Sequence, residues 1–266
     1  RPVIFSKMDA QQGYFQIPIR EEDRDIAAFL TRTKKYRYKA MPMGLATSAQ
    51  AFQAVINLIL QNLQYTCAIP YLDDILCLST SIDKHFTDLR DIFLALRKGK
   101  LKLKKTKCEF FLEELDFLGM KVTTDGIKPS PDKVTKIKTF PTPKNVKDVR
   151  SFTGLAQFYR KFIKGFSETA RPLFELLQHN RSFIWSKSCE EAFQSLKDSI
   201  CNDVILLYPN YKKEFHLTTD ASGAALGATL SQHDKDGVLR PVAFAGRSLH
   251  DHEKNYGATQ RELLGV

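Results

Sequence analysis

Apolar residues recur every three or four positions from Thr47 to Asn62, with Ala51, Phe52, Val55, Ile56, Ile59, Leu60 and then Leu63, and this spacing predicts an amphipathic helix. The pattern then changes. Cys67-Ala68-Ile69-Pro70 and Ile75-Leu76-Cys77-Leu78 are near-continuous apolar runs flanking the polar break Tyr71-Leu72-Asp73-Asp74, which predicts two buried strands joined by a tight turn. A second helix is expected from about Asp83 to Lys98, with Phe86, Leu89, Phe93 and Leu96 on one face. Two helices against a small antiparallel sheet make an α+β core. Residues 1–45 read as short strands and turns punctuated by Phe5, Ile17, Ile19, Phe29, Tyr36 and Tyr38. Leu101 and Leu103 alternate with lysines as in an edge strand, and Leu115–Val122 reads as a hairpin with Thr124-Asp125-Gly126 behind it.

Past this point the pattern is helical. Pro129, Pro131, Pro141 and Pro143 bracket a short helix from Asp132 to Thr139. Asn145 fits an N-cap, with Asp148 in the first turn, Phe152, Leu155, Ala156, Tyr159, Phe162 and Ile163 buried, and Arg150, Lys161 and Lys164 projecting away. A third helix is expected over roughly Glu168–Gln178, and a fourth opens at Ser188 with Glu191 in the capping-box position. From Glu214 strands return: Phe215–Ser222, the small-residue run Gly223–Leu230, and Pro241–Ala245 beyond a loop at Asp234–Gly237. A helix is expected from Glu253 through Glu262, with Glu253 at the surface.

The acidic break carries the candidate chemistry. Asp is a poor strand former and an unpaired buried carboxylate is costly, so adjacent acids at a buried hairpin tip suggest a hard divalent cation. On the pair alone, a polar turn explains them equally well. Asp9 ends the short apolar segment Val3–Met8, and pairing of that segment beside the hairpin brings Asp9 near Asp73 and Asp74. Three carboxylates at one sheet edge suit two ions roughly 3.5–4 Å apart, which activate an attacking oxygen and stabilise the leaving one in phosphoryl transfer.

With Phe5-Ser6-Lys7-Met8-Asp9, Met41-Pro42-Met43-Gly44-Leu45, Tyr71-Leu72-Asp73-Asp74, Phe117-Leu118-Gly119-Met120, Phe152–Ile163 and Thr218-Thr219-Asp220-Ala221-Ser222 in this order and spacing, the chain resembles the reverse transcriptase and ribonuclease H region of a Ty3/gypsy-type LTR retrotransposon Pol polyprotein, related to retroviral reverse transcriptases. The resemblance covers essentially the whole chain. It implies a right-hand-like polymerase palm with a helical thumb, followed by the start of a ribonuclease H-like α/β domain. The division implied is 1–128 partial fingers and palm, 129–180 thumb, 181–212 a connecting segment, and 213–266 the N-terminal part of the ribonuclease H-like domain.

The same resemblance implies residue roles. Asp9 and Asp73 would bridge two Mg2+ ions, with Mn2+ as an alternative, and Asp74 would support one ion or the primer end. Tyr14 matches the aromatic gate that excludes a ribose 2′-hydroxyl, although on its own it reads equally as a core aromatic. Met43 and Gly44 would lie beside the incoming deoxynucleoside triphosphate. Tyr71, Phe117, Leu118, Gly119 and Met120 would contact the primer, and Lys161 and Lys164 on the thumb would hold the duplex. Asp220 and Glu262 match the first two nuclease acids, and the nuclease acids expected to complete them lie past Val266. The implied partners are an RNA template, a DNA primer, an RNA–DNA hybrid, other segments of a Pol polyprotein and a second copy of the chain. Two departures, Met43 itself and a missing proline in Ala46–Gln53, bear on substrate handling rather than on metal ligation.

Charge and cysteines refine this. Lys and Arg number 40 against 30 acids in 266 residues, a formal charge of +10 that favours a polyanionic partner. Arg97–Lys107 holds seven basic residues and no acid. Lys100, Lys102 and Lys104 read either as a solvated, aggregation-resistant edge or as phosphate contacts, and the polymerase motifs favour the latter. Five cysteines in unpaired spacing read as reduced core thiols of an intracellular protein, and the resemblance implies a cytoplasmic particle and/or the nucleus. The six histidines show no metal-ligand spacing, and Trp185 reads as a packing anchor. No apolar run approaches the roughly 20 residues of a membrane helix. The early position of Asp9 predicts a polyprotein fragment. A catalytically inactive nucleic-acid-binding or dimer-supporting subunit is the alternative function.

Overall fold

The computed structural model describes residues 2–178, 182–202 and 204–266. His179 and the expected thumb limit at 180 lie outside them. The chain forms two compact units, 1–117 and 118–266.

In the first unit the strands are β1 (Ile4–Asp9), β2 (Ala28–Leu30), β3 (Lys35–Arg37), β4 (Ala68–Tyr71), β5 (Asp74–Ser79), β6 (Glu109–Leu112) and β7 (Glu114–Phe117). Its helices are α1 (Ser48–Ile59) and α2 (Ile82–Lys98). The principal sheet runs β4-β5-β1-β6, and β1 and β5 pair antiparallel from Ile4↔Ser79 to Asp9↔Asp74. Met8, Ile75 and Cys77 meet Phe52 and Ile56 from α1, Leu60 just past its end, and Leu89, Ile92 and Leu96 from α2 in one buried cluster. Ser81 caps α2 by accepting the Lys84 amide, and Arg97 and Lys98 occupy its last turn, where cations suit the helix dipole.

Two expectations fail here. The buried face of α2 is His85, Asp88, Leu89, Ile92 and Leu96, whereas Phe86 and Phe93 are 60% and 41% exposed and lie against Phe111 and Phe110. Spacing alone admits both faces because they differ by one residue, about 100° of rotation. Polar partners beneath the sheet draw in His85 and Asp88, as described below. The Leu101–Lys104 stretch is also not a strand. It makes a single bridge, Leu103↔Ala10, and enters a 3-10 turn over Lys105–Lys107, although Leu101 is buried and the lysines stay exposed.

The second unit opens with the antiparallel pair β8 (Met120–Thr123) and β9 (Ile127–Pro129). Gly126 between them has φ +155°, and an added Cβ would fall 2.1 Å from the Leu206 carbonyl oxygen, so the bridge Ile127↔Leu206 requires glycine. Helices α3 (Pro131–Lys138), α4 (Val146–Phe158), α5 (Phe166–Thr169), α6 (Arg171–Glu175) and α7 (Lys187–Cys201) follow. Their core joins Phe152 to Phe193 at 4.5 Å, with Ile137, Tyr159, Phe162, Leu173 and Leu196 buried around them. Asn145 caps α4 by accepting the Asp148 amide, as its sequence predicts. The expected third helix is instead two short ones meeting at Ala170, with Pro172 in the first turn of the second. The fourth is capped by Ser186, two residues before the predicted Ser188.

The chain ends in an antiparallel meander, β10 (His216–Ala221), β11 (Ala225–His233) and β12 (Leu239–Ser248), with α8 (Ala258–Leu264) against β10. Glu253 is not a surface residue. It is buried in a separate 3-10 turn, receives two hydrogen bonds from Arg247 at 2.6 and 2.8 Å and one from the His250 amide, and its carboxyl falls to about 2, chiefly through the Arg247 bonds.

Candidate functional site

The β1–β5 register sets Asp9 directly opposite Asp74 at the end of the sheet. The turn beside them is tight: Leu72 has φ +52°, and Tyr71 pairs with Asp74 across it. A branched aliphatic residue disfavours that backbone, and α1 supplies what holds it. Gln53 accepts the Leu72 amide hydrogen at 2.7 Å and donates to the Pro70 carbonyl at 3.3 Å, clamping the β4 side of the tip. The Asp73 carbonyl accepts the Ala10 amide at 2.7 Å, which ties the turn to the chain just past Asp9.

Both opposed acids have ammonium partners. Lys107 Nζ lies 3.2 Å from Asp9 Oδ2, and Lys7 Nζ lies 3.4 Å from Asp74 Oδ1. Lys7 sits two residues before Asp9 and so shares its face of the strand. The basic segment runs alongside: Lys104 donates its amide to the Asp9 carbonyl, and Lys102 accepts from the Gln11 amide. Gln16 fastens this contact by accepting the Lys102 amide at 2.7 Å and donating to its carbonyl at 3.0 Å. Alternation about the Leu103↔Ala10 bridge puts Lys102 and Lys104 on the opposite side from the half-buried Leu103. Lys100 is exposed just before them.

Among the described residues no three metal-capable side chains converge. Asp9 and Asp74 are nevertheless hard oxygen donors at one edge, each already compensated by a lysine ammonium, with Asp73 in the turn beside them. In kind, these residues fit a divalent ion. Tyr14 is half-buried with its ring 5.4 Å from that of Phe52, while Met43 is 62% exposed next to Gly44, whose φ is +99°. Tyr71 is exposed. Cys67 and Cys77 lie under the sheet, and burial pushes their thiols up to about 11 and about 12, which keeps them protonated.

All but one of the remaining predicted residues belong to the second unit. Phe117 is buried and Leu118 exposed. Gly119, with φ +75°, gives its carbonyl to the Tyr159 hydroxyl at 2.8 Å, and Met120 packs on the helical core. Lys161 does not project freely. It is half-buried beside the Phe162 ring at 5.3 Å, and desolvation lowers its pKa, whereas Lys164 is exposed and lines a groove with Glu168, Thr218 and Asp220. Asp220 and Glu262 are exposed on neighbouring elements, β10 and α8, and no third acid completes a metal group among the described residues.

Sequence reasoning missed Gln53, Gln16, Lys7 and Lys107. Lys7 had a signal, a cation interrupting an apolar segment at the i−2 position from Asp9. Lys107 was visible only as one of seven basic residues, and the two glutamines had none.

Against known proteins, residues 1–122 match the family described as reverse transcriptase (RNA-dependent DNA polymerase), and residues 185–266 match the RNase H-like domain found in reverse transcriptase. The fold covers the full chain in the structure of the foamy viral protease-reverse transcriptase dRH in complex with ds DNA, with a TM-score of 0.88, 22% identity and 46% of that chain covered. A foamy viral protease-reverse transcriptase in complex with RNA/DNA hybrid gives a TM-score of 0.85 over 99% of this chain and 36% of that one, at 22% identity. The architecture is thus a reverse transcriptase palm and thumb with an RNase H-like fold.

Among curated relatives, the retrovirus-related Pol polyprotein from transposon 297 of Drosophila melanogaster is 42% identical over 98% of this chain and 24% of its own length. The corresponding polyprotein from transposon gypsy of the same species is 34% identical over 99% and 26%. The chain belongs to the reverse transcriptase–RNase H region of the Ty3/gypsy-type retrotransposon and retroviral Pol family. It spans about a quarter of the length of the curated relatives it matches.

Proposed function

We propose that the chain is the catalytic part of an RNA-directed DNA polymerase that extends a DNA primer with deoxynucleotides on an RNA template. The observation that carries this reading is Asp9 held opposite Asp74 at the end of β1 and β5, beside the clamped turn that bears Asp73. Asp9 and Asp73 would hold two divalent ions, Mg2+ by the family's chemistry, with Asp74 supporting one of them. Bound there, the ions supply activation of the primer 3′-oxygen and neutralisation of charge on the departing pyrophosphate. The protein's part is to keep the carboxylates at one edge, to orient the nucleotide with Tyr14, Met43 and Gly44, and to position the backbone with Lys100, Lys102 and Lys104. In this reading 1–128 supply palm and partial fingers, 129–180 the thumb and 213–266 the start of a nuclease domain that uses Asp220 and Glu262.

A second reading, a non-catalytic nucleic-acid-binding subunit, draws on the two lysines that occupy Asp9 and Asp74 and on the lack of a three-donor group among the described residues. Primer extension separates the two. The polymerase reading expects incorporation of labelled deoxynucleotide that depends on Mg2+ and stops with chelator. Tight template–primer binding without incorporation at any divalent-ion concentration favours the second.

A further inference from the structure

β5 is apolar and buried from Ile75 to Cys77, and β1 buries Phe5 and Met8. With a side-chain period of two, a slip of two residues keeps every side chain on its own face, so face burial alone does not exclude it. A two-residue slip would set Asp9 opposite Leu72 or Leu76 instead of Asp74. Two hydroxyls on the helix-covered face break this degeneracy: Ser6 on β1 and Ser79 on β5, both buried.

They meet His85 of α2, which is also fully buried. Ser6 Oγ lies 2.7 Å from His85 Nε2, and His85 Nδ1 lies 2.9 Å from Ser79 Oγ. Ser79 donates to Asp88 Oδ2 at 2.6 Å, and Lys84 holds the other carboxylate oxygen. The Phe111 amide donates to Ser6 Oγ at 3.1 Å. Because the Ser79 hydrogen goes to Asp88, Ser79 accepts from His85 Nδ1–H; with the ring neutral, Nε2 accepts the Ser6 hydrogen while Ser6 accepts the Phe111 amide. Desolvation lowers the His85 pKa, in keeping with a neutral ring. The rigid ring spans the diagonal from Ser6, opposite Cys77, to Ser79, and only the observed register offers that diagonal.

We propose that Ser6, His85, Ser79 and Asp88 are positioning residues that key β1 to β5 in the one register that sets Asp9 opposite Asp74. Their catalytic consequence rests on the polymerase reading above, while the register itself does not. A buried polar group that specifies pairing at some cost in stability is an established device in helical assemblies, and here it acts on a sheet. The network touches neither substrate nor the opposed acids, which lie on the other face of the sheet.

NMR on the protein and on its His85→Asn and Ser6→Ala variants tests this. His85→Asn retains a donor near Nδ1 and loses the link to Ser6, and Ser6→Ala removes one hydroxyl with little change in volume. In the parent, long-range proton–nitrogen spectra are expected to show His85 as the neutral Nδ1–H form, with single cross-strand contacts Ser6–Cys77 and Met8–Ile75. Each variant is expected to show a second set of cross-strand contacts, such as Asp9–Leu76. With it, kcat for primer extension falls about tenfold to a hundredfold, the scale of a small misplacement of reacting groups, and KM is unchanged. A single native set of contacts in both variants overturns the proposal whatever their activity. Slipped contacts in the variants of a parent that never extends a primer support the register key and overturn the polymerase reading instead.

Discussion

Gln53 Oε1 accepts the Leu72 amide hydrogen at 2.7 Å, and the same side chain donates to the Pro70 carbonyl. A single residue of α1 thereby braces the β4 side of a strained turn that carries two acids. Replacing it by Leu leaves a partly buried amide unpaired, at a cost of about 1–3 kcal/mol. Gln53→Leu is expected to lower the urea midpoint and to reduce kcat more than it raises KM. Gln53→Glu keeps the acceptor for Leu72 and is expected to recover most of both. Equal kinetics in Gln53→Leu and parent would remove the clamp from the account.

Tyr14 packs on Phe52 and keeps part of its ring accessible. If that ring excludes a 2′-hydroxyl, Tyr14→Ala admits ribonucleotides, and the ratio of kcat/KM for deoxy- over ribonucleotide falls. Single-nucleotide incorporation with each sugar measures the ratio. An unchanged ratio returns Tyr14 to core packing alone.

Lys100, Lys102 and Lys104 are exposed beside Asp9. Neutralising all three is expected to weaken template–primer binding about equally for unrelated sequences and to flatten its salt dependence, since each phosphate contact contributes a slope of roughly 0.7–0.9 in log K against log salt. Binding titrations from low to moderate salt decide this. Parental affinity with parental slope would mark these lysines as a solvated edge.

The sequence exposed the parts of this fold whose signal is local. The Asn145 cap, the α1 stripe, the Asp73-Asp74 turn and the three-strand meander follow from neighbours within a few residues. It failed where distant partners decide. The α2 face turned on hydroxyls from β1 and β5, and Glu253 was drawn inward by Arg247. The lysine run lay against Asp9 through Gln16, some 86 positions away. The opposition of Asp9 and Asp74 was an expectation that needed strand pairing to become a distance, and the clamp on Leu72 had no trace in composition or spacing.

Glu253 gives a pH prediction. Its carboxyl titrates near 2 in the folded chain against an ordinary 4.5, so its contribution is fully present above 4.5 and is lost as pH falls from there toward 2. Glu253→Gln is expected to be less stable than the parent at neutral pH and to lose less stability on acidification across that window. Urea midpoints at stepped pH check both. Parallel pH profiles would show that the Arg247–Glu253 pair does not set acid sensitivity.

The central claim is that Asp9, Asp73 and Asp74 carry nucleotidyl transfer, and Asp73→Asn tests it most directly because it removes one charge while keeping the size of the side chain. Single-turnover extension of a DNA primer on an RNA template with Mg2+, measured beside template–primer affinity, is expected to show extension abolished and affinity within about twofold of the parent, as for an interaction made only in the transition state. Extension by Asp73→Asn at the parental rate would contradict the account.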